Sequence, residues 1–158
     1  MRQVTLCLLI KTDQVLLAMK KRGFGEGWWN GAGGKVEGDE TLEKAAIRET
    51  QEEIGVTPTK LKKVAVIDFY FQETDRSKDW NQTMHGYLVT EWQGKPSESE
   101  EMRPECFDKN NLPLENMWPA DKFWIPLVLD GKLIKGRVNF DPDKKLIDYN
   151  FEEMEKLD

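Results

Sequence analysis

Seven of the twelve glycines in this 158-residue chain (Gly23, Gly25, Gly27, Gly31, Gly33, Gly34 and Gly38) fall between residues 23 and 38, directly ahead of one strongly patterned helix. So dense a run implies several positions of positive φ or tight backbone approach, where a side chain would strain or clash. A floppy surface loop would tolerate the same glycines. Phe24, Trp28 and Trp29 argue against that reading, because large aromatic side chains become ordered by packing.

The helix spans residues 41–54. Asp39 or Thr41 can cap its start, and Gly55 is placed as a left-handed terminator. At 100° per residue, Glu49, Glu52 and Glu53 share one arc, continuous with Leu42, Ala45 and Ala46. Ile47 and Ile54 lie to one side of it and are expected to make the apolar contact with a sheet. Glu49 and Glu53 are like charges at i,i+4, which costs roughly a few tenths of a kcal/mol, and Arg48 can offset part of this by reaching Glu52. The arc is ordinary if it is solvated. It is purposeful if it holds a hard divalent cation, which prefers clustered carboxylate oxygens.

Elsewhere the pattern is mostly strand. Residues 4–10 and 15–19 read as two strands about a Lys11-Thr12-Asp13 turn. Residues 62–71 and 84–92 are rich in β-branched and aromatic side chains, with polar residues 73–82 as a long hairpin loop between them. Residues 135–140 and 144–150 flank Asp141-Pro142-Asp143 as a final hairpin, and a short helix is expected at 123–129, stopped by Gly131. No linker or repeat divides the chain, so one α/β domain over residues 1–158 is expected.

Charge narrows the partners. Lys and Arg number 23 against 29 Asp and Glu, so the net charge is −6 with the single His85 neutral. A nucleic-acid coat needs a basic face to release counterions, so no nucleic-acid polymer is expected as partner. A small polyanionic substrate would be repelled unless a cation lay between. Cys7 and Cys106 stand at no metal or redox spacing and are expected to be reduced thiols. Residues 1–10 lack the features of a secretion leader, and no stretch approaches the roughly 20 apolar residues of a membrane span. A cytoplasmic protein without a membrane partner is the expectation.

Residues 34–56 read GKVEGDETLEKAAIRETQEEIGV. This resembles the Nudix box, Gly-x5-Glu-x7-Arg-Glu-U-x-Glu-Glu-x-Gly-U, with U a bulky aliphatic residue. Gly34, Glu40, Arg48, Glu49, Glu52, Glu53 and Gly55 match its fixed positions, and Val56 fills the last U. At roughly 7% per residue type, seven such matches arise by chance in about 10⁻⁶ of chains this long. Thr50 departs from the first U, which weakens packing there without removing a ligand.

The resemblance implies an α/β/α sandwich with a mixed, curved sheet. It further implies hydrolysis of a nucleoside diphosphate linked to another group. It places metal binding and catalysis on Glu49, Glu52 and Glu53, a main-chain ligand on Gly33, and structural roles on Glu40 and Arg48. The cofactor would be Mg²⁺, or Mn²⁺ in its place. Glu53 would be general base or closest metal ligand, two roles the sequence does not separate.

The segments 19–36, 101–107 and 115–124 (MKKRGFGEGWWNGAGGKV, EMRPECF and ENMWPADKFW) are similar to the MutT-homologue branch that hydrolyses oxidised purine nucleoside triphosphates. That similarity implies a small nucleotide substrate and a monomer. It puts Asn30 on the base edge, Trp118 in a stack with the base and Asp121 on its Watson–Crick side. Phe24 would line the pocket, Lys20 would face the phosphates, and Glu101 would approach the metal. Trp92 and Trp124 read as core, and His85 as structural. Three departures bear on base selectivity: Ala120 stands where the branch carries a second aspartate, Ala32 replaces a bulky aromatic, and the loop 73–82 is longer than the branch's pattern. Other nucleotide substrates, or a nucleotide sensor without turnover, are the competing readings.

Overall fold

A computed structural model describes residues 1–72 and 79–157 of the chain. Residues 73–78, the centre of the expected loop between the two middle strands, lie outside the described residues. The elements run β1 (Arg2–Lys11), β2 (Gln14–Lys20), β3 (Trp29–Asn30), α1 (Leu42–Ile54), β4 (Thr57–Phe71), β5 (Gln82–Gln93), β6 (Met102–Asp108), α2 (Asp121–Leu129), β7 (Leu133–Phe140) and β8 (Leu146–Met154).

All eight strands join one mixed sheet in the order β3-β2-β1-β5-β4-β7-β8, with β6 on β2. β1 pairs parallel with β5, β4 parallel with β7, and the remaining pairs are antiparallel. Strand alternation sends neighbouring residues to opposite faces. On one face Leu6, Leu8, Val15 and Leu17 pack with Trp124, Ile125 and Val128 of α2. On the other, Cys7, Leu9, Leu16 and Ala18 pack with Ala46 and Ile54 of α1. The result is the expected α/β/α sandwich.

The glycine run is built into this sheet. β1 and β2 pair directly only where Leu9–Lys11 meets Gln14–Leu16. Below that, residues 29–36 enter between them: Trp29 and Asn30 pair with β2, and then Ala32, Gly34 and Val36 exchange main-chain hydrogen bonds with Cys7, Thr5 and Gln3. A Cβ at Gly33 would run into the Thr5 carbonyl, and one at Gly34 into the Glu49 carboxyl group. Glycine is required at both positions by closeness, since neither has a positive φ.

α1 is fixed by its ends. The Thr41 hydroxyl accepts from the Lys44 N–H at 3.2 Å, and Gly55 closes the helix at φ 77°. Thr50 is fully buried, and its hydroxyl donates to the Ala46 carbonyl at 2.8 Å, which satisfies the polar atom that an aliphatic residue would lack.

Several boundaries differ from the sequence reading. β4 starts at Thr57 and α2 at Asp121, while β3 and β6 had no local signal strong enough to mark them. The sheet-facing side of α1 is Ala45, Ala46, Thr50 and Ile54, whereas Ile47 is only half-buried. The helix therefore turns its carboxylates closer to the sheet than the isoleucine positions suggested. Cys7 and Cys106 are both free thiols. His85 is buried, with its Nε2 2.7 Å from the Gln3 side-chain oxygen.

Candidate active site

A cavity of about 400 Å³ opens along the glycine segment where β1 and β2 part, lined by Gly31, Gly33 and Gly34. Glu53 from α1 and Asp121 from α2 both reach it, although their helices cover opposite faces of the sheet.

At the α1 end, the Arg48 guanidinium organises the acids. Its Nε and Nη2 donate to the two oxygens of Glu40 at 2.6 and 2.8 Å, and its Nη1 donates to Glu49 at 2.9 Å and Glu52 at 3.2 Å. This fork, helped by the Glu37 N–H, holds the Glu40 carboxyl down at about 2. Glu52 is exposed, so the solvated reading of the arc holds there. It fails for the other two. Burial raises Glu49 despite Arg48, and burial pushes Glu53 up to about 8, with Lys20 pulling the other way and Glu49 adding to the rise.

Among the described residues, no three carboxylate, imidazole or thiolate groups stand together at metal-ligand spacing. The donors nonetheless fit a hard cation. Glu53 Oε2 is buried with no hydrogen-bond partner among the described residues, the charges of Glu49 and Glu101 both bear on it, and the Gly33 main chain bonds to the same carboxyl group. An orphaned buried carboxylate oxygen in acidic surroundings is a costly arrangement that a cation relieves.

The basic run 20–22 meets the acidic stretch 98–101. Lys20 Nζ pairs with Glu101 at 3.2 Å, Arg22 Nε with Glu101 at 2.8 Å, and Lys21 with Glu98. These cations therefore clasp a loop, and Lys20 alone of the three also lines the cavity.

The α2 end is aromatic. Trp118 lies 5.1 Å from Phe24, 4.6 Å from Trp28 and 5.8 Å from Phe71 between ring centroids. Beneath them Asp121 is buried. Its Oδ1 accepts from the Trp124 indole N–H at 3.1 Å, its Oδ2 has no partner among the described residues, and burial pushes the carboxyl up to about 7. Asn30 lines the same space, its side-chain oxygen accepting from the Gly31 N–H at 2.9 Å. Ala120 is fully buried in the core beside these groups, and Ala32 is buried where it pairs with Cys7.

Of the residues singled out from sequence, Lys20, Phe24, Asn30, Gly33, Glu53, Trp118 and Asp121 share this one cavity. Glu49 sits behind Gly34, Glu52 faces solvent, and Glu101 is engaged by Lys20 and Arg22. Arg2, Thr5, Lys35, Phe71 and Trp80 also line it and were not foreseen. Only Trp80 carried a local signal, as a lone aromatic in a polar stretch. Trp124 is core as expected, at 1% exposure, while its indole N–H also serves Asp121.

The chain is 41% identical over 154 residues to an oxidized purine nucleoside triphosphate hydrolase of Danio rerio, covering 98% of this chain and 96% of that protein. It is 40% identical to the protein of the same name from Mus musculus, with 99% and 97% covered. A crystal structure of a MutT protein from Bacillus halodurans superposes with a TM-score of 0.84 at 29% identity, covering 96% of this chain and 98% of that one. The NUDIX domain model matches residues 1–128, which takes in the glycine segment, α1 and the residues that line the cavity, and the chain belongs to the NUDIX family of hydrolases.

Proposed function

We propose that this Nudix hydrolase cleaves oxidised purine nucleoside triphosphates, such as 8-oxo-dGTP and 2-hydroxy-dATP, to the monophosphate and pyrophosphate, clearing damaged bases from the nucleotide pool. One observation carries the reading. A buried carboxyl group with a free oxygen, Asp121, sits under an aromatic cluster in the same cavity as the orphaned Glu53 carboxylate. A planar base with a hydrogen-bonding edge suits the first, and a phosphate chain with its cation suits the second. The names of the Danio rerio and Mus musculus relatives point the same way.

Glu49, Glu52 and Glu53, the Gly33 carbonyl and Glu101 are the groups that would hold a divalent cation, Mg²⁺ or Mn²⁺. When bound, it would neutralise phosphate charge and acidify a water molecule. The remaining work belongs to the chain itself. Arg48 holds Glu49 and Glu52 in place from one side, and Glu53 serves as ligand or as base toward the attacking water. Lys20 exchanges part of its Glu101 contact for phosphate oxygens. Trp118 stacks on the base, Phe24 closes the pocket beside it, and Asn30 and Asp121 bond its polar edges. Titrating near 7, Asp121 is able to donate or accept at neutral pH. The enzyme acts as a monomer on free nucleotides in the cytoplasm. Among the described residues no helix is long and apolar enough to cross a membrane.

Ala120 supports a second reading. With one carboxylate rather than two beside the base, plain or methylated purine nucleotides become competing substrates. Mg²⁺-dependent pyrophosphate release from 8-oxo-dGTP, 2-hydroxy-dATP, dGTP and dATP separates the two, with Glu53→Gln as control. Preference for the oxidised bases, abolished in the variant, supports the first. Equal rates on all four support the second, and tight binding without cleavage would instead mark a sensor.

A further inference from the structure

Trp80 follows a polar stretch between β4 and β5, far from either helix in sequence. Its indole stacks on Phe24, with centroids 4.3 Å apart and planes 13° from parallel. The Arg2 guanidinium lies over the same indole, 5.1 Å from the ring centre. All three side chains line the cavity, yet they come from three separate parts of the chain. The backbone beside Trp80 is tied down: the Phe71 N–H donates to the Asn81 side-chain oxygen at 2.7 Å, and the Asn81 N–H to Asp79 at 3.0 Å.

We propose that Trp80 is a specificity-determining residue: packed against Phe24 and Arg2, it forms the outer wall of the base end and sets how broad a base the slot accepts. The inference rests on the purine-nucleotide reading above and deepens it. A parallel aromatic pair resists tilting, so Trp80 fixes the Phe24 ring, and Phe24 in turn flanks Trp118 at 5.1 Å. The base must fit what that wall leaves of a cavity of about 400 Å³ shared with the phosphates. A cation over the indole adds stiffness from the far end of β1. With one buried carboxylate at hand, selection by shape carries weight that hydrogen bonding alone does not.

The test compares wild type, Trp80→Ala, Trp80→Phe and Arg2→Ala. Each is assayed for kcat and KM on 8-oxo-dGTP and on a purine triphosphate carrying an N-benzyl group at the exocyclic amine. Binding of the matching monophosphates is measured by calorimetry without metal. Trp80→Ala is expected to raise KM for the flat purine roughly tenfold with kcat within about twofold, the size of one lost aromatic contact. Relative kcat/KM for the benzylated substrate should rise by a similar factor. Trp80→Phe should keep the wild-type ratio, and Arg2→Ala should fall between. An unchanged ratio in Trp80→Ala, or equal losses on both substrates together with a lowered Tm, overturns the proposal while leaving the function intact. A wild-type protein that neither binds nor cleaves any purine nucleotide overturns both.

Discussion

The Trp124 indole N–H donates to one oxygen of the buried Asp121 carboxyl group at 3.1 Å, and the other oxygen has no partner among the described residues. Burial disfavours the ionised form of this side chain, and the Trp124 bond offsets only part of that.

The sign of the resulting pH dependence follows from linkage. Asp121 titrates at 3.8 in the unfolded chain and at about 7 in the fold. Between those values the folded state keeps a proton that the unfolded state has lost, so stability falls as pH rises through the window and levels off above it. Asp121→Asn should remove that slope and be more stable than wild type at pH 8, by on the order of 1–4 kcal/mol, with the gap closing toward pH 4. Urea unfolding at pH 5, 6, 7 and 8 checks this; parallel curves for the two proteins would sink it. The same variant should lose at least roughly tenfold in kcat/KM on oxidised purines, since one base contact is changed.

Glu53→Gln separates function from stability. The amide cannot serve as anionic ligand or base, so metal-dependent hydrolysis should drop by at least roughly 100-fold. It also relieves a buried carboxylate oxygen with no partner, so Tm should hold or rise. A lower Tm with activity lost in proportion would mean that Glu53 matters mainly for folding.

Two glycines make a paired test. A Cβ at Gly34 meets the Glu49 carboxyl group, which Arg48 holds from the other side. Gly34→Ala should therefore cost roughly 1–3 kcal/mol and disturb Glu49 directly. At Gly27, φ +87°, an added Cβ would meet no atom of the described residues within 4 Å. Gly27→Ala should cost only backbone strain, about 1 kcal/mol, and keep most activity. Melting curves and turnover of the two variants, measured side by side, decide whether closeness or conformation is the constraint at Gly34.

Arg48→Lys keeps the charge but loses the fork that binds Glu40 with two nitrogens. A fall of roughly tenfold in kcat is expected as Glu49 and Glu52 lose their anchor. Glu40 titrates at about 2 in the fold, below its ordinary 4.5. Its contribution to stability is thus present above 4.5 and lost as pH falls through 2. The stability difference between wild type and variant should be largest at neutral pH and should vanish in strong acid. A difference independent of pH would assign the effect to packing instead.

The parts of this molecule that sequence revealed are those written over short spans. The Thr41 cap, the Gly55 terminator and the Arg48–Glu52 contact all lie within one helix or one turn of it. The final hairpin and the α2 segment were legible for the same reason. Glu49, Glu52 and Glu53 could be placed on one arc by spacing alone, yet spacing was silent on which way the arc faced. Burial of Ala45, Ala46 and Thr50 turned Glu49 and Glu53 inward and left Glu52 in water. β6 and β3 carry little signal of their own because short strands are defined by their partners, and those partners lie 82–94 and 10–12 residues away along the chain.

From sequence alone came the family, the capped acidic helix and the expectation of left-handed or tightly approached backbone somewhere in residues 23–38. These follow from local hydrogen bonding, helical period and residue type. Tertiary structure decided that Glu53 and Asp121, on helices covering opposite faces, reach one cavity, and that Arg2, Phe24 and Trp80 meet at its rim. The reason is physical. A local pattern sets which side of an element is apolar, whereas the cavity exists only because residues 29–36 pass between β1 and β2, a contact made by strands pairing across the fold.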